Sequence, residues 1–122
     1  MQALVIDDSR AIRLILGRML RQLGLDVVEA ADATEALDRL SEGLKPGLVL
    51  VDWNMPGMTG LEFVKAVRQP PFSSTARLVM VTTETEVVQV VRALDAGADE
   101  YVMKPFTKEA VLEKLQLLGL GV

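Results

Sequence analysis

Leu48-Val49-Leu50-Val51-Asp52 sets four apolar residues in unbroken succession and ends them on a carboxylate. A strand with one wet face alternates apolar and polar residues, so an unbroken run describes a strand covered on both faces, as in a parallel sheet with helices packed on each side. The same pattern returns on either side of it: ALVI at 3–6, LVMV at 78–81, YVM at 101–103, and a weaker VV at 27–28. Helical periodicity fills the intervals. Ile12, Ile15, Leu16, Met19, Leu20 and Leu23 share one face, and Gly24 follows where a left-handed cap is expected. Asp32 and Glu35 read as an N-cap and its reciprocal partner for a helix over about 33–42. Thr59-Gly60-Leu61-Glu62 fits a capping box for a third helix that stops before Pro70-Pro71. A fourth spans about 86–96 and ends at Gly97, and a fifth follows Thr107. The expected fold class is α/β: a (βα)5, doubly wound, parallel five-stranded sheet forming one domain over 1–122.

Length and composition agree with a packed domain. A chain of 122 residues buries roughly two-thirds of the surface its unfolded form exposes. Half the residues are hydrophobic and a quarter charged, which excludes the composition of a disordered chain. The formal charge of −4 leaves no broad basic footprint, so direct nucleic-acid binding is not expected. Without cysteine there is neither a disulfide framework nor a thiolate metal site. Asp7 and Asp8 arrive before any apolar run long enough for a signal peptide, and no run approaches the ~20 residues of a membrane span. The expectation is a soluble, monomeric, cytoplasmic protein whose loosest segment is 70–75.

Parallel strands point their carboxyl ends the same way, and open α/β sheets bind ligands outside those ends. Asp7 and Asp8 follow the first strand, Asp52 the third, Thr82 and Thr83 the fourth and Lys104 the fifth. Taken singly, each is an ordinary loop or capping residue; taken together they gather three carboxylates, two hydroxyls and one ammonium at one edge. Asp8 is also placed to cap the first helix. One ammonium does not balance three carboxylates, and like charges this close raise carboxylate pKa values unless a cation enters. With oxygen ligands only, Mg2+ is the natural choice, and Mn2+ a possible substitute. A metal and a lysine around a free carboxylate equip a site for phosphoryl transfer, with the carboxylate as nucleophile.

These residues resemble the receiver domain of two-component response regulators over nearly the whole chain. The resemblance rests on Val5-Ile6-Asp7-Asp8-Ser9, Asp52-Trp53-Asn54-Met55-Pro56-Gly57-Met58-Thr59-Gly60, Val81-Thr82-Thr83-Glu84 and Tyr101-Val102-Met103-Lys104-Pro105-Phe106, in that order. It implies a flavodoxin-like sheet in the order 2-1-3-4-5. It also implies Asp52 as phosphoacceptor, Mg2+ held by Asp7, Asp8, Asp52 and the backbone carbonyl of Asn54, and Lys104 pairing with the phosphoryl oxygens. Thr82 and Tyr101 form the implied switch pair: the hydroxyl moves toward the phosphoryl group and the aromatic ring turns inward behind it. The Lys104-Pro105 bond resembles the family's cis peptide, and Asn54 and Glu84 flank the acceptor where they influence hydrolysis of the acyl phosphate.

The resemblance further implies a signalling role rather than an enzyme acting on other substrates: the chain catalyses only its own phosphorylation and autodephosphorylation. With no histidine in the chain, the phosphohistidine belongs to a partner, a sensor histidine kinase or a phosphotransfer protein. Output to an effector protein is expected through the fourth helix, fifth strand and fifth helix, and on the fourth helix some valine of Val87, Val88, Val90 and Val91 must face solvent. Chemotaxis members often begin this helix with basic residues, where Glu86 and Val87 stand here. Three alternatives remain open: a Mg2+-dependent small-molecule phosphatase with an aspartyl-phosphate intermediate, a flavin-binding flavodoxin-like sheet, and a receiver excised from a DNA-binding regulator or hybrid kinase. Asp7-Asp8 stands where a flavin phosphate loop would lie, and no glycine-rich Lys-Ser/Thr loop is present for a P-loop NTPase.

Overall fold

The computed structural model describes residues 1–83 and 87–121. Among the described residues five strands and five helices alternate: β1 (Gln2–Ile6), α1 (Arg10–Gln22), β2 (Asp26–Ala30), α2 (Ala33–Ser41), β3 (Leu48–Asp52), α3 (Gly60–Arg68), β4 (Arg77–Thr83), α4 (Val87–Ala96), β5 (Glu100–Lys104) and α5 (Lys108–Leu117). All strand pairs are parallel, in the order β2-β1-β3-β4-β5. The expected architecture and order are both present.

The order itself distributes the helices. From β1 the chain steps outward to β2, then turns back past β1 to β3 and continues through β4 to β5. Right-handed crossovers therefore send α1 to one face and α2, α3 and α4 to the other. The two halves of the core match this. Ala33 and Ala36 of α2, Phe63, Val64 and Val67 of α3, and Ala93 of α4 pack with Leu4, Ile6, Val49, Val51 and Met80. On the opposite face Leu16 and Leu20 of α1 and Val111 and Leu115 of α5 pack with Val5, Leu48, Leu50, Val79, Val81 and Val102. Every residue of β3 is buried, as its unbroken apolar run requires. β2 is an edge strand, half-buried along most of its length, and its Asp26 and Glu29 explain why the sequence shows only Val27 and Val28 there.

Local chemistry sets the helix ends, with corrections to the sequence expectation. Ser9, not Asp8, caps α1: its hydroxyl accepts the Ile12 N–H at 3.3 Å. Asp32 caps α2 as expected and accepts the Glu35 N–H at 2.8 Å, but the Glu35 carboxylate reaches back to the Ala31 N–H, one residue before the cap. Thr59 and Glu62 form the full capping box of α3. The expected start of the fourth helix at Glu86 lies outside the described residues; α4 runs from Val87 and stops before Gly97, which sits at φ +123°. The 70–75 segment, expected to be the loosest, is hydrogen-bonded to the end of α3, with the Ser73 N–H on Gln69 O at 2.9 Å, the Ser74 N–H on Val67 O at 2.7 Å and the Arg68 guanidinium on Ser74 O at 2.8 Å. Among the described residues no helix is long and apolar enough to cross a membrane.

Candidate functional site

The register brings the strand ends level. Ile6 pairs with Val51, so Asp7 and Asp52, the next residue of each chain segment, are neighbours at the point where the strand order reverses. Asp52 pairs with Val81 and Thr83 with Lys104. Thr82 and Thr83, expected after the fourth strand, are its last two residues. The β1–β3 reversal opens a crevice in doubly wound sheets, and the polar groups collect at its mouth.

Asp7 and Asp52 are almost fully buried, at 1% and 4% exposure, whereas Asp8 is exposed. One carboxylate oxygen from each of the three lies within 4.8 Å of the others. The Lys104 ammonium bridges two of them, donating to Asp52 Oδ1 at 3.1 Å and Asp7 Oδ2 at 3.3 Å. Asp7 Oδ1 accepts the Ser9 N–H at 2.8 Å, and its backbone carbonyl accepts Arg13 Nη1 at 2.6 Å, with Arg13 Nε paired to Glu29 at 3.3 Å. These contacts fix Asp7 from both sides.

Burial, and then the charge of Asp7, push the Asp52 carboxyl up to about 6, against the opposing pull of Lys104 and of a backbone hydrogen bond from Asn54. Burial alone would lower the Lys104 ammonium, but the hydrogen bond and charge of Asp52, joined by Asp7, outweigh it and hold Lys104 above its usual value. The cluster is short of positive charge. A hard divalent cation fits this donor set: three carboxylates, one of them solvent-facing, with neither histidine nor cysteine in the chain.

The predicted residues are brought together unevenly. Asp7, Asp8, Asp52 and Lys104 form one cluster, with the Asn54 backbone on the Asp52 carboxylate. Thr82 is fully buried one step along β4 from the residue paired with Asp52, and its hydroxyl donates to Thr83 O at 3.3 Å. Tyr101 pairs with Met80, so Tyr101 and Thr82 share a face of adjoining strands, two residues out of register. Glu84 lies outside the described residues. The Lys104–Pro105 peptide bond is cis, as the resemblance implied.

Two contributors were not picked out from the sequence. Arg13 carries no motif, being defined only by the fold that brings α1 against the carbonyl of Asp7. Gly60 stands in the capping box and in the stretch that carries the resemblance, with no packing role assigned there, yet a Cβ at this position would lie 2.7 Å from the Asp52 carbonyl oxygen and 3.0 Å from Trp53 Cα. A glycine directly after the Thr59 cap, at the first position of a helix, was the available signal.

The chain matches the family model of the response regulator receiver domain over residues 3–116. It is 43% identical over 123 aligned residues to a chemotaxis protein CheY homolog of Campylobacter jejuni, covering 99% of this chain and 95% of that protein. Chemotaxis protein CheY1 of Helicobacter pylori is 40% identical, over 97% of this chain and 96% of its own length. Among solved structures, the chemotaxis response regulator CheY4 of Vibrio cholerae superposes with a TM-score of 0.86 at 37% identity, over 96% of this chain and 97% of the other.

Proposed function

This chain belongs to the response regulator receiver domain family of two-component signalling, and on that premise we propose that Asp52 is its phosphoacceptor. The observation that carries the proposal is Asp52 at the end of β3, buried, raised to about 6, and sharing one ammonium with Asp7. A carboxylate at neutral pH is ionised even with that shift, and the shift makes it a better nucleophile than an ordinary aspartate. Its oxygen attacks the phosphorus of a partner's phosphohistidine; the new O–P bond forms as the P–N bond breaks, and the electron pair leaves on the imidazole nitrogen. Lys104 follows the charge, exchanging a carboxylate oxygen for a phosphoryl oxygen. Asp7, Asp8, Asp52 and the Asn54 carbonyl would hold Mg2+, or Mn2+ in its place, which supplies electrostatic stabilisation of the transferring group when bound. Asp7 is oriented for that task by Ser9 and Arg13.

Thr82 and Tyr101 are the proposed switch. The phosphoryl group draws the buried hydroxyl toward it, vacating room on the shared face for the ring. Output runs through α4, β5 and α5, where Val88, Val91, Leu94 and Met103 are exposed. Val88 and Val91 meet the expectation that some α4 valine faces solvent. The partners are a sensor histidine kinase or phosphotransfer protein upstream and an effector protein downstream. The names of the relatives favour a chemotaxis pathway, and the proposed setting is the cytoplasm. The chain acts on no other substrate and catalyses only its own phosphorylation and dephosphorylation, the latter tuned by Asn54 and Glu84. The phosphatase and flavin alternatives are not favoured, since the relatives covering nearly the whole chain are receivers.

Incubation with acetyl phosphate and Mg2+, followed by intact mass, tests the reading. The expected result is one phosphoryl adduct, lost with EDTA during loading and in Asp52→Asn. An adduct undiminished in Asp52→Asn contradicts it.

A further inference from the structure

Lys114 stands at an unusual place for a lysine. Val111 and Leu115 of α5 are fully buried against the sheet, and Lys114, three residues after Val111, flanks that buried face with its side chain 27% exposed. Its stem is therefore held against protein, and its ammonium is steered to two partners on β5. Nζ lies 3.4 Å from Glu100 Oε1 and 4.8 Å from the centroid of the Tyr101 ring, within the range of a cation–π contact. The same Glu100 oxygen accepts the Tyr101 backbone N–H at 3.0 Å, so one carboxylate oxygen fixes both the cation and the residue that carries the ring. β5 is an edge strand, which is why a residue on α5 can reach a ring that packs with the core cluster of the other face.

We propose that Lys114, anchored by Glu100, is a positioning residue that latches the Tyr101 ring in its half-buried position, so that inward turning of the ring breaks the contact and releases the ammonium to the output face. The proposal rests on the reading of Tyr101 as the moving member of the switch. A contact made in only one of two ring positions biases the equilibrium toward that position by its own strength. Contacts of this kind at partly exposed sites correspond to about a two- to fivefold change in a binding midpoint. Removing the cation therefore makes activation easier rather than harder, the opposite of what general damage to the fold would do.

Tyr101 is the only tyrosine in the chain, so fluorotyrosine labelling gives a single fluorine NMR resonance to follow through a titration with beryllofluoride and Mg2+. The expected result is a wild-type resonance that moves on titration, a free-state resonance already displaced toward the titrated position in Lys114→Met, and a midpoint about two- to fivefold lower in that variant. Lys114→Arg, which keeps a cation over the ring, should return both to wild-type values. An unchanged resonance and midpoint in Lys114→Met overturns the latch while leaving the switch in place. An arginine variant that behaves like the methionine variant overturns it too, because the effect then comes from packing and not from the cation. A wild-type resonance that ignores beryllofluoride overturns the latch and the switch together.

Discussion

The two edges of the sheet hold charge in opposite ways. At the amino edge of β4 and β5, Arg68 uses all five of its N–H donors: Nε and Nη2 on Gly97 O at 2.9 and 2.8 Å, Nη2 on Asp99 Oδ2 at 2.9 Å, and Nη1 on Ser74 O at 2.8 Å and Ala76 O at 2.7 Å. Asp99 neutralises it and also accepts the Leu78 N–H at 2.8 Å. At the carboxyl edge one ammonium serves two buried carboxylates with a third beside them. The first edge is saturated and stitches the end of α3, the 70–75 segment and the start of β5 into one unit. The second is short of positive charge, and that shortage suits a site meant to receive a cation and a phosphoryl group. The same residue types thus serve stability at one edge and chemistry at the other.

Substitutions at the two edges should therefore act with opposite sign. Arg68→Met takes this donor from three carbonyls and leaves Asp99 with the Leu78 N–H and with Arg77 at 3.7 Å, and the expected loss is about 3–5 kcal/mol in urea denaturation. Asp52→Asn should do the reverse in EDTA at neutral pH, raising stability by on the order of 1–3 kcal/mol. The folded pKa of about 6 lies above the ordinary 3.8, so the folded state binds this proton more tightly than the unfolded state. The wild type therefore loses stability as pH rises from below 3.8 through about 6, and the advantage of Asp52→Asn should vanish at the acid end of that window. An advantage that persists unchanged at acid pH would mean that the site is not strained by charge. Mg2+ should stabilise the wild type more than Asp52→Asn in the same assay.

Smaller changes sharpen the contrast. In Gly60→Ala the added Cβ meets backbone at the Asp52 carbonyl, which cannot swing aside, so a loss of about 1–3 kcal/mol should come with slower labelling by acetyl phosphate. Ser9→Ala removes the α1 cap and should cost about 1 kcal/mol; its backbone N–H on Asp7 survives, so Mg2+ affinity should barely change.

Legibility in the sequence followed burial and locality. β3 and β4 were plain because both faces are covered, while β2 was faint because an edge strand keeps polar residues. Asp7, Asp52 and Lys104 could be placed together from the sequence because each closes a strand, and parallel strands end side by side. Asp8 and Ser9 are both good caps, and only geometry chose between them. The sequence pattern puts Thr82 and Thr83 just after β4 rather than at its end, because threonine suits both a strand end and a turn. No local pattern marks Arg68, since Gly97 and Asp99 lie 29 and 31 residues further along the chain. Lys114 was hidden in the same way, its partners lying on another element.

The central claim is that Asp52, and not the neighbouring Asp7 or Asp8, carries the phosphoryl group. Reduction of the acetyl phosphate-treated, Mg2+-loaded protein with borohydride converts an acyl phosphate to a homoserine, which peptide sequencing by mass spectrometry locates to a single residue. Homoserine at position 52 alone is the predicted result, and homoserine at position 7 or 8 would contradict the account.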